Sequence, residues 1–254
     1  MAGATLFFCS LPTLIVLLSS FSAGDSLEFP PDGLSLSGYG DILSDQTIRA
    51  ALARSIIVGL ESVAISLPLG MAAAFALYRY KVRGGAAISG FLLLGFSVPL
   101  VVSGMAFLVL YTRVGLIGDL WPLSVAIVTV NFPFMLFAIG SSIDLLNPEL
   151  EEAAATLGAE KIQAFLFVTL PGVMPGVLTG AILMFVFGLT EFLVSLIISA
   201  VSNATLPVVL FGSLRSALAP RHAAVGGVYI VIALLVVLLM TRLRVLEEFL
   251  YRRD

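Results

Sequence analysis

Six runs of mostly apolar residues dominate this chain, at roughly 4–23, 55–78, 87–111, 122–143, 175–200 and 224–241. A helix needs about 20 such residues to cross the hydrocarbon core of a bilayer. The expected fold is therefore all-α, a polytopic membrane helical bundle of about six transmembrane helices forming one domain over residues 1–254. Composition supports lipid as the main solvent: 59% of the 254 residues are hydrophobic and 11% charged, with a mean hydropathy of +1.11. That leaves too little polar surface to clothe a soluble domain. The first run has no basic segment before it and reads as a span, not a cleaved signal. The stretch from Gly24 to Gln46 is polar and turn-rich and reads as an ordered aqueous loop.

Several function classes fall away on counting. Cys9 is the single cysteine and His222 the single histidine, so there is no disulfide framework, no Cys/His metal cluster and no Cys-His catalytic pair. A net charge of -3 gives no basic face for nucleic acid. Lys81 and Lys161, the two lysines, lack the preceding glycines of a Gly-x-x-x-x-Gly-Lys-Ser/Thr phosphate loop. No cofactor, metal or catalytic residue is expected in this chain, and energy for uphill transport would have to come from another subunit.

Basic residues set the orientation. Arg79, Lys81 and Arg83 crowd the connection after the second run, the usual mark of the cytoplasmic side. Six spans then put both termini in the cytoplasm, with Lys161, Arg242, Arg244, Arg252 and Arg253 also inside and Arg49, Arg54, Arg113, Arg215 and Arg221 outside.

The most informative segment is the loop from 144 to 170, between the fourth and fifth runs. Asn147-Pro148-Glu149-Leu150-Glu151-Glu152-Ala153-Ala154-Ala155-Thr156-Leu157-Gly158-Ala159 punctuates itself as a short helix. Asn147 can cap it, Pro148 suits its first turn, Glu149 and Glu151 face the positive end of its dipole, and Gly158 can take the left-handed conformation that ends it. A second short helix is expected over Glu160 to Val168. A helix of about ten residues is marginal alone in water, so docking against another surface and ordinary solvation are both open on these grounds.

Glu152-Ala153-Ala154, Gly158 and then Leu170-Pro171 resemble the EAA motif of importer permeases of the ATP-binding-cassette (ABC) class. The resemblance covers most of residues 50 to 245 and implies a coupling helix between the fourth and fifth spans. Glu151, Glu152, Ala153, Ala154, Thr156, Leu157, Gly158 and Ala159 would seat in a groove on a cytoplasmic ATPase. Further likeness is to the spermidine/putrescine-type branch. It lies in Phe29-Pro30-Pro31 and Gly33-Leu34-Ser35 within residues 22 to 39, in Ala76-Leu77-Tyr78-Arg79-Tyr80, in Glu191-Phe192 and in Leu206-Pro207. The resemblance implies two ABC ATPase subunits that bind ATP and magnesium, a second and different permease chain, an extracytoplasmic solute-binding protein, an inner-membrane location, and alternating access for a polyamine or related solute. A passive channel or an intramembrane enzyme is the alternative class. No His-Glu-x-x-His helix or Gly-x-Ser-x-Gly elbow supports the enzyme, and a channel leaves the capped loop helix unexplained.

Charged groups deep in lipid cost roughly 3 kcal/mol on insertion scales, so acids in apolar runs should face a cavity or a partner. Glu191, with Thr190 beside it, is either a pathway carboxylate for a cationic solute or a structural acid between helices. Glu61 reads as interhelical. Asn131 and Pro133, like Ser97 and Pro99, interrupt apolar runs and either line the path or kink the packing. Gly172, Pro175, Gly176 and Gly180 place small residues at four-residue spacing, which lets helix backbones meet. Arg215, Arg221 and His222 are expected on the outer surface, where docking of the binding protein is the sharper reading.

Overall fold

The computed structural model describes residues 2–23, 29–31, 33–215 and 219–251, all built from helices and short connections apart from one isolated antiparallel bridge between Ser22 and Leu34. In chain order the helices are α1 (Ala2–Ser19), α2 (Ser37–Ser44), α3 (Gln46–Ala74), α4 (Gly85–Ser97), α5 (Leu100–Val114), α6 (Trp121–Leu145), α7 (Glu149–Thr156), α8 (Lys161–Ala164), α9 (Leu170–Thr190), α10 (Leu193–Ile198), α11 (Leu206–Leu214) and α12 (Pro220–Tyr251). A π-type turn at Phe75–Arg79 prolongs α3, and another at Phe165–Thr169 joins α8 to α9.

Among the described residues, three continuous helices are long and apolar enough to cross a membrane: Gln46–Arg79, Trp121–Leu145 and Lys161–Thr190. A fourth candidate is the pair α4 and α5, which meet at a 99° bend. Phe7–Ser19 and Pro220–Val236 are shorter apolar helices among the described residues. The apolar run at 87–111 is thus two helices, for a local reason. A residue before proline is pushed out of the helical region, and Val98, ahead of Pro99, is extended at φ -89° and ψ 126°. Pro68, Pro133 and Pro175 stay inside their helices.

The second departure concerns the fifth run. The segment expected as a separate loop helix after Gly158 is continuous with the span, so the helix begins at Lys161 and ends at Thr190, where Glu191 turns extended (ψ 125°). Pro171 has no N–H to give to the preceding turn, and the π turn at 165–169 carries the chain past it without a break.

The chain divides into two compact units, Met1–Arg54 with Ala204–Leu243, and Ser55–Asn203 with Arg244–Asp254. In the larger, α6 is the central helix: Ile127, Met135, Leu136 and Ile139 are fully buried. α9 runs along it on small residues, as the four-residue spacing implies. A Cβ at Gly172 would meet Leu146, and Cβ atoms at Gly176 and Gly180 would overlap Ala138 and Met135. Small side chains let membrane helices approach this closely. In the smaller unit, Ile42, Ala51, Leu206, Ala224 and Val225 form the core. There Tyr39 Oη and Ser20 Oγ are hydrogen-bonded at 2.8 Å, and Arg54 Nε donates to the Ala204 carbonyl at 2.8 Å. The 24–46 loop therefore contributes a helix, α2, whose Ile42 is part of that core; Gly24, Asp25 and Asp32 lie outside the described residues.

Candidate functional site

The loop helix α7 forms where its terminal residues dictate. Asn147 Oδ1 accepts the Glu149 N–H at 3.0 Å, satisfying one of the donors left free at a helix start. At the other end Gly158 has φ +90°, a conformation that a Cβ would strain. The Ala159 N–H reaches the Ala154 carbonyl and the Gly158 N–H the Ala155 carbonyl, both at 3.0 Å, the paired bonds of a Schellman ending. The chain restarts at once: Gln163 Oε1 accepts the Glu160 N–H at 2.9 Å, one half of a capping box.

Two adjacent glutamates then part company. Glu152 is exposed, as are Ala153, Ala155, Thr156 and Gly158; Leu157 is 89% and Leu150 49% exposed. Thr156 Oγ1 donates back to the Glu152 carbonyl at 2.9 Å, and Ala154 and Ala159 are half-buried. Glu151 faces inward instead. Its Oε2 pairs with Arg79 Nη2, and its Oε1 accepts the hydroxyl of Thr169, which is 1% exposed. Burial pushes the Glu151 carboxyl up, but the hydrogen bonds from Thr169 and Arg79, together with the Arg79 charge, outweigh it and hold the carboxyl below its ordinary range. Beside this cluster lies a cleft of about 490 Å³ lined by Arg79, Glu151, Glu152, Ala155, Lys161 and Thr169, among others. The sequence marks Arg79 for orientation and family likeness, not as a partner of α7, and does not single out Thr169 at all. A cation closing an apolar run, and an acidic 144–170 loop expected on the same side, were the available signal for the first.

The bundle acids sit in different settings. Glu61 is half-buried and accepts the Ser124 hydroxyl of α6 at 2.6 Å, an interhelical bond. Glu191 stands at the break between α9 and α10, and its two oxygens accept the N–H groups of Val194 (3.1 Å) and Ser195 (3.0 Å), capping α10. Thr190 Oγ1 donates to the Val186 carbonyl at 2.7 Å, and the buried Asn131 donates through Nδ2 to Ile127 at 3.0 Å. Each of these candidates thus has a bond within the protein, and Asn131 and Thr190 spend theirs on their own helices.

Arg215 and Arg221 are exposed, as a surface position requires, with Arg215 over the Phe211 ring at 5.1 Å. The surface expectation fails for His222, which is 7% exposed. Its Nε2 is 3.0 Å from Ser213 Oγ, and its Nδ1 accepts the Ala219 N–H at 3.0 Å. A ring at the first turn of a helix can tuck under the preceding segment, which spacing along one chain does not reveal.

Comparison with known proteins bears on this geometry. The spermidine/putrescine transport system permease protein PotC of Haemophilus influenzae is 29% identical over 229 residues, covering 90% of this chain and 89% of that protein. The sulfate transport system permease protein CysW of Synechococcus elongatus is 30% identical over 214 residues, 79% of this chain and 71% of that one. A crystal structure of a bacterial ABC transporter involved in the import of the acidic polysaccharide alginate contains a chain of the same fold. Its TM-score is 0.67 at 19% identity, covering 95% of this chain and 91% of that one. Residues 66–253, which include α7 and the Glu151 cluster, match the family described as the binding-protein-dependent transport system inner membrane component. The chain therefore belongs to that family and is a permease subunit of an ABC importer.

Proposed function

We propose that this permease carries a small cationic solute of the polyamine type, delivered by an extracytoplasmic binding protein and driven by two ATPase subunits that seat on α7. A second, different permease chain completes the pathway by alternating access, and both termini lie in the cytoplasm with α7. ATP and magnesium are bound by the ATPase subunits. The observation that carries the docking reading is the division of labour in α7. Its ends are closed by Asn147 and Gly158 and its inner side is tied down by Glu151, while Leu150, Glu152, Ala153 and Leu157 stay exposed. An exposed apolar strip on a helix too short to stand alone calls for a partner surface.

The polyamine class rests on the likeness to PotC, which extends over more of the chain than the likeness to the sulfate permease. The solute route runs beside the break between α9 and α10, because an interrupted helix is tolerated at membrane depth only where it is enclosed by protein or lines a water-filled cavity. Glu191 holds that break open as a defined turn, with Thr190 at its edge and Asn131 in the neighbouring helix α6.

Isolation of the chain from its native membrane in mild detergent, with mass spectrometry of the accompanying proteins, tests the assembly. An ATPase, a second permease and a binding protein are expected; a chain that comes alone overturns the reading. Gly158→Pro, which cannot adopt φ +90°, is expected to separate ATP hydrolysis from uptake. Screening the recovered binding protein against spermidine, putrescine and sulfate then decides the solute.

A further inference from the structure

Two π-type turns meet α7. Phe75–Arg79 ends the helix that begins with α3, and Phe165–Thr169 joins α8 to α9. They lie against each other, since the Phe75 and Phe165 rings, the first residue of each turn, meet edge-on with centroids 5.4 Å apart at 62°. The last residue of each turn, Arg79 and Thr169, donates to the same carboxylate, one to each oxygen of Glu151. A π turn takes in one extra residue, so the part of the Lys161–Thr190 helix beyond the second turn is rotated by about 100° relative to an unbroken α-helix.

No residue of α7 is fully buried, so packing alone holds it weakly. A carboxylate gripped by two donors from two different helices resists both rotation and shear, and charge-assisted bonds of this kind are the stronger ones. Its surroundings favour it further, because the side chains of Arg79 and Glu151 are 22% and 28% exposed and water competes only in part. We infer that Glu151 is a rigid joint through which any displacement of α7 passes at once to the end of α3 and the start of α9, by way of Arg79 and Thr169. The two neighbouring glutamates then have separate tasks, Glu152 at the exposed face and Glu151 as a positioning residue behind it. This inference rests on the reading of α7 as the helix on which the ATPase seats.

The test uses the full transporter with its own ATPase subunits, with Cys9 replaced by Ser and nitroxides attached at Glu149 of α7 and Lys81 beyond the first π turn, both exposed. Distances are measured by electron–electron double resonance in the nucleotide-free and the ATP–vanadate-trapped complex. In the otherwise native chain a single narrow distance, the same in both states, is expected. Glu151→Gln and, independently, Thr169→Val are expected to lose it in the trapped state, and the exchange Glu151→Arg with Arg79→Glu is expected to recover it over Arg79→Glu alone. A distance as narrow and constant in Glu151→Gln and Thr169→Val as in the parent overturns the joint, as does an exchange that recovers nothing. Should no ATPase subunit accompany the parent chain, the docking reading fails instead, a result separate from either of these.

Discussion

Gly176 of α9 lies so close to the backbone carbonyl of Ala138 on α6 that a Cβ there would overlap it. A carbonyl in the middle of a helix cannot swing aside as a side chain can, so the two helices would have to part. Gly176→Ala is therefore expected to destabilise the larger unit by about 1–3 kcal/mol, the usual cost of overpacking. Gly90 of α4 has nothing within 4 Å of the corresponding position, and Gly90→Ala is expected to be neutral or to stabilise by up to about 1 kcal/mol. Thermal unfolding of both variants in the same detergent checks the contrast.

The hydrogen bond from Ser124 Oγ to Glu61, 2.6 Å long, joins α6 to α3. Bonds of this kind between membrane helices average about 0.6 kcal/mol and reach about 1.7 kcal/mol. A double-mutant cycle of Glu61→Ala and Ser124→Ala is expected to return a coupling in that range. No measurable coupling would mean that the two residues act independently.

At Glu191 the carboxylate caps α10 through two backbone N–H groups. Glu191→Ala is expected to cost about 1 kcal/mol, as loss of a cap does, and to lower uptake through disorder of the break. Glu191→Gln keeps one acceptor oxygen, so uptake of radiolabelled spermidine is expected to fall less than in Glu191→Ala. Equal loss in both would assign the role to the negative charge itself.

Acid should loosen the loop. The Glu151 carboxyl is held below its ordinary value of 4.5 in the folded chain, so above that value the group is ionised whether the chain is folded or not and its stabilisation is fully present. As pH falls, the unfolded chain takes up the proton first, and the contribution fades until pH passes the lower folded value. Protease cutting of the 144–170 loop is thus expected to rise as pH drops below about 4.5. Glu151→Gln should already be cut readily at neutral pH and show less of this acid dependence.

Much of this was legible along the chain. Pro148, Asn147 and Gly158 specify where α7 starts and stops by local backbone rules, and those rules need no knowledge of neighbours. The glycine spacing at 172, 176 and 180 likewise announced a face that meets another helix. What could not be read was any relation across the chain. The apolar run at 87–111 did not reveal that Val98 and Pro99 divide it at 99°, because hydropathy is blind to backbone direction. The place of His222 under Ser213, and the choice of Glu151 over Glu152 as the inward-facing partner of Arg79 and Thr169, depend on which faces the helices turn to one another.

The sequence by itself determined a helical membrane chain, its family and the ends of its loop helix, since length, hydropathy and capping act over a few residues at a time. Only the tertiary structure decided which polar groups meet. Arg79, Glu151 and Thr169 lie 72 and 18 residues apart in pairs, and the first and the last of them each close a π turn. Such a meeting is set by the packing of α3, α6 and α9 as a whole and has no local signature.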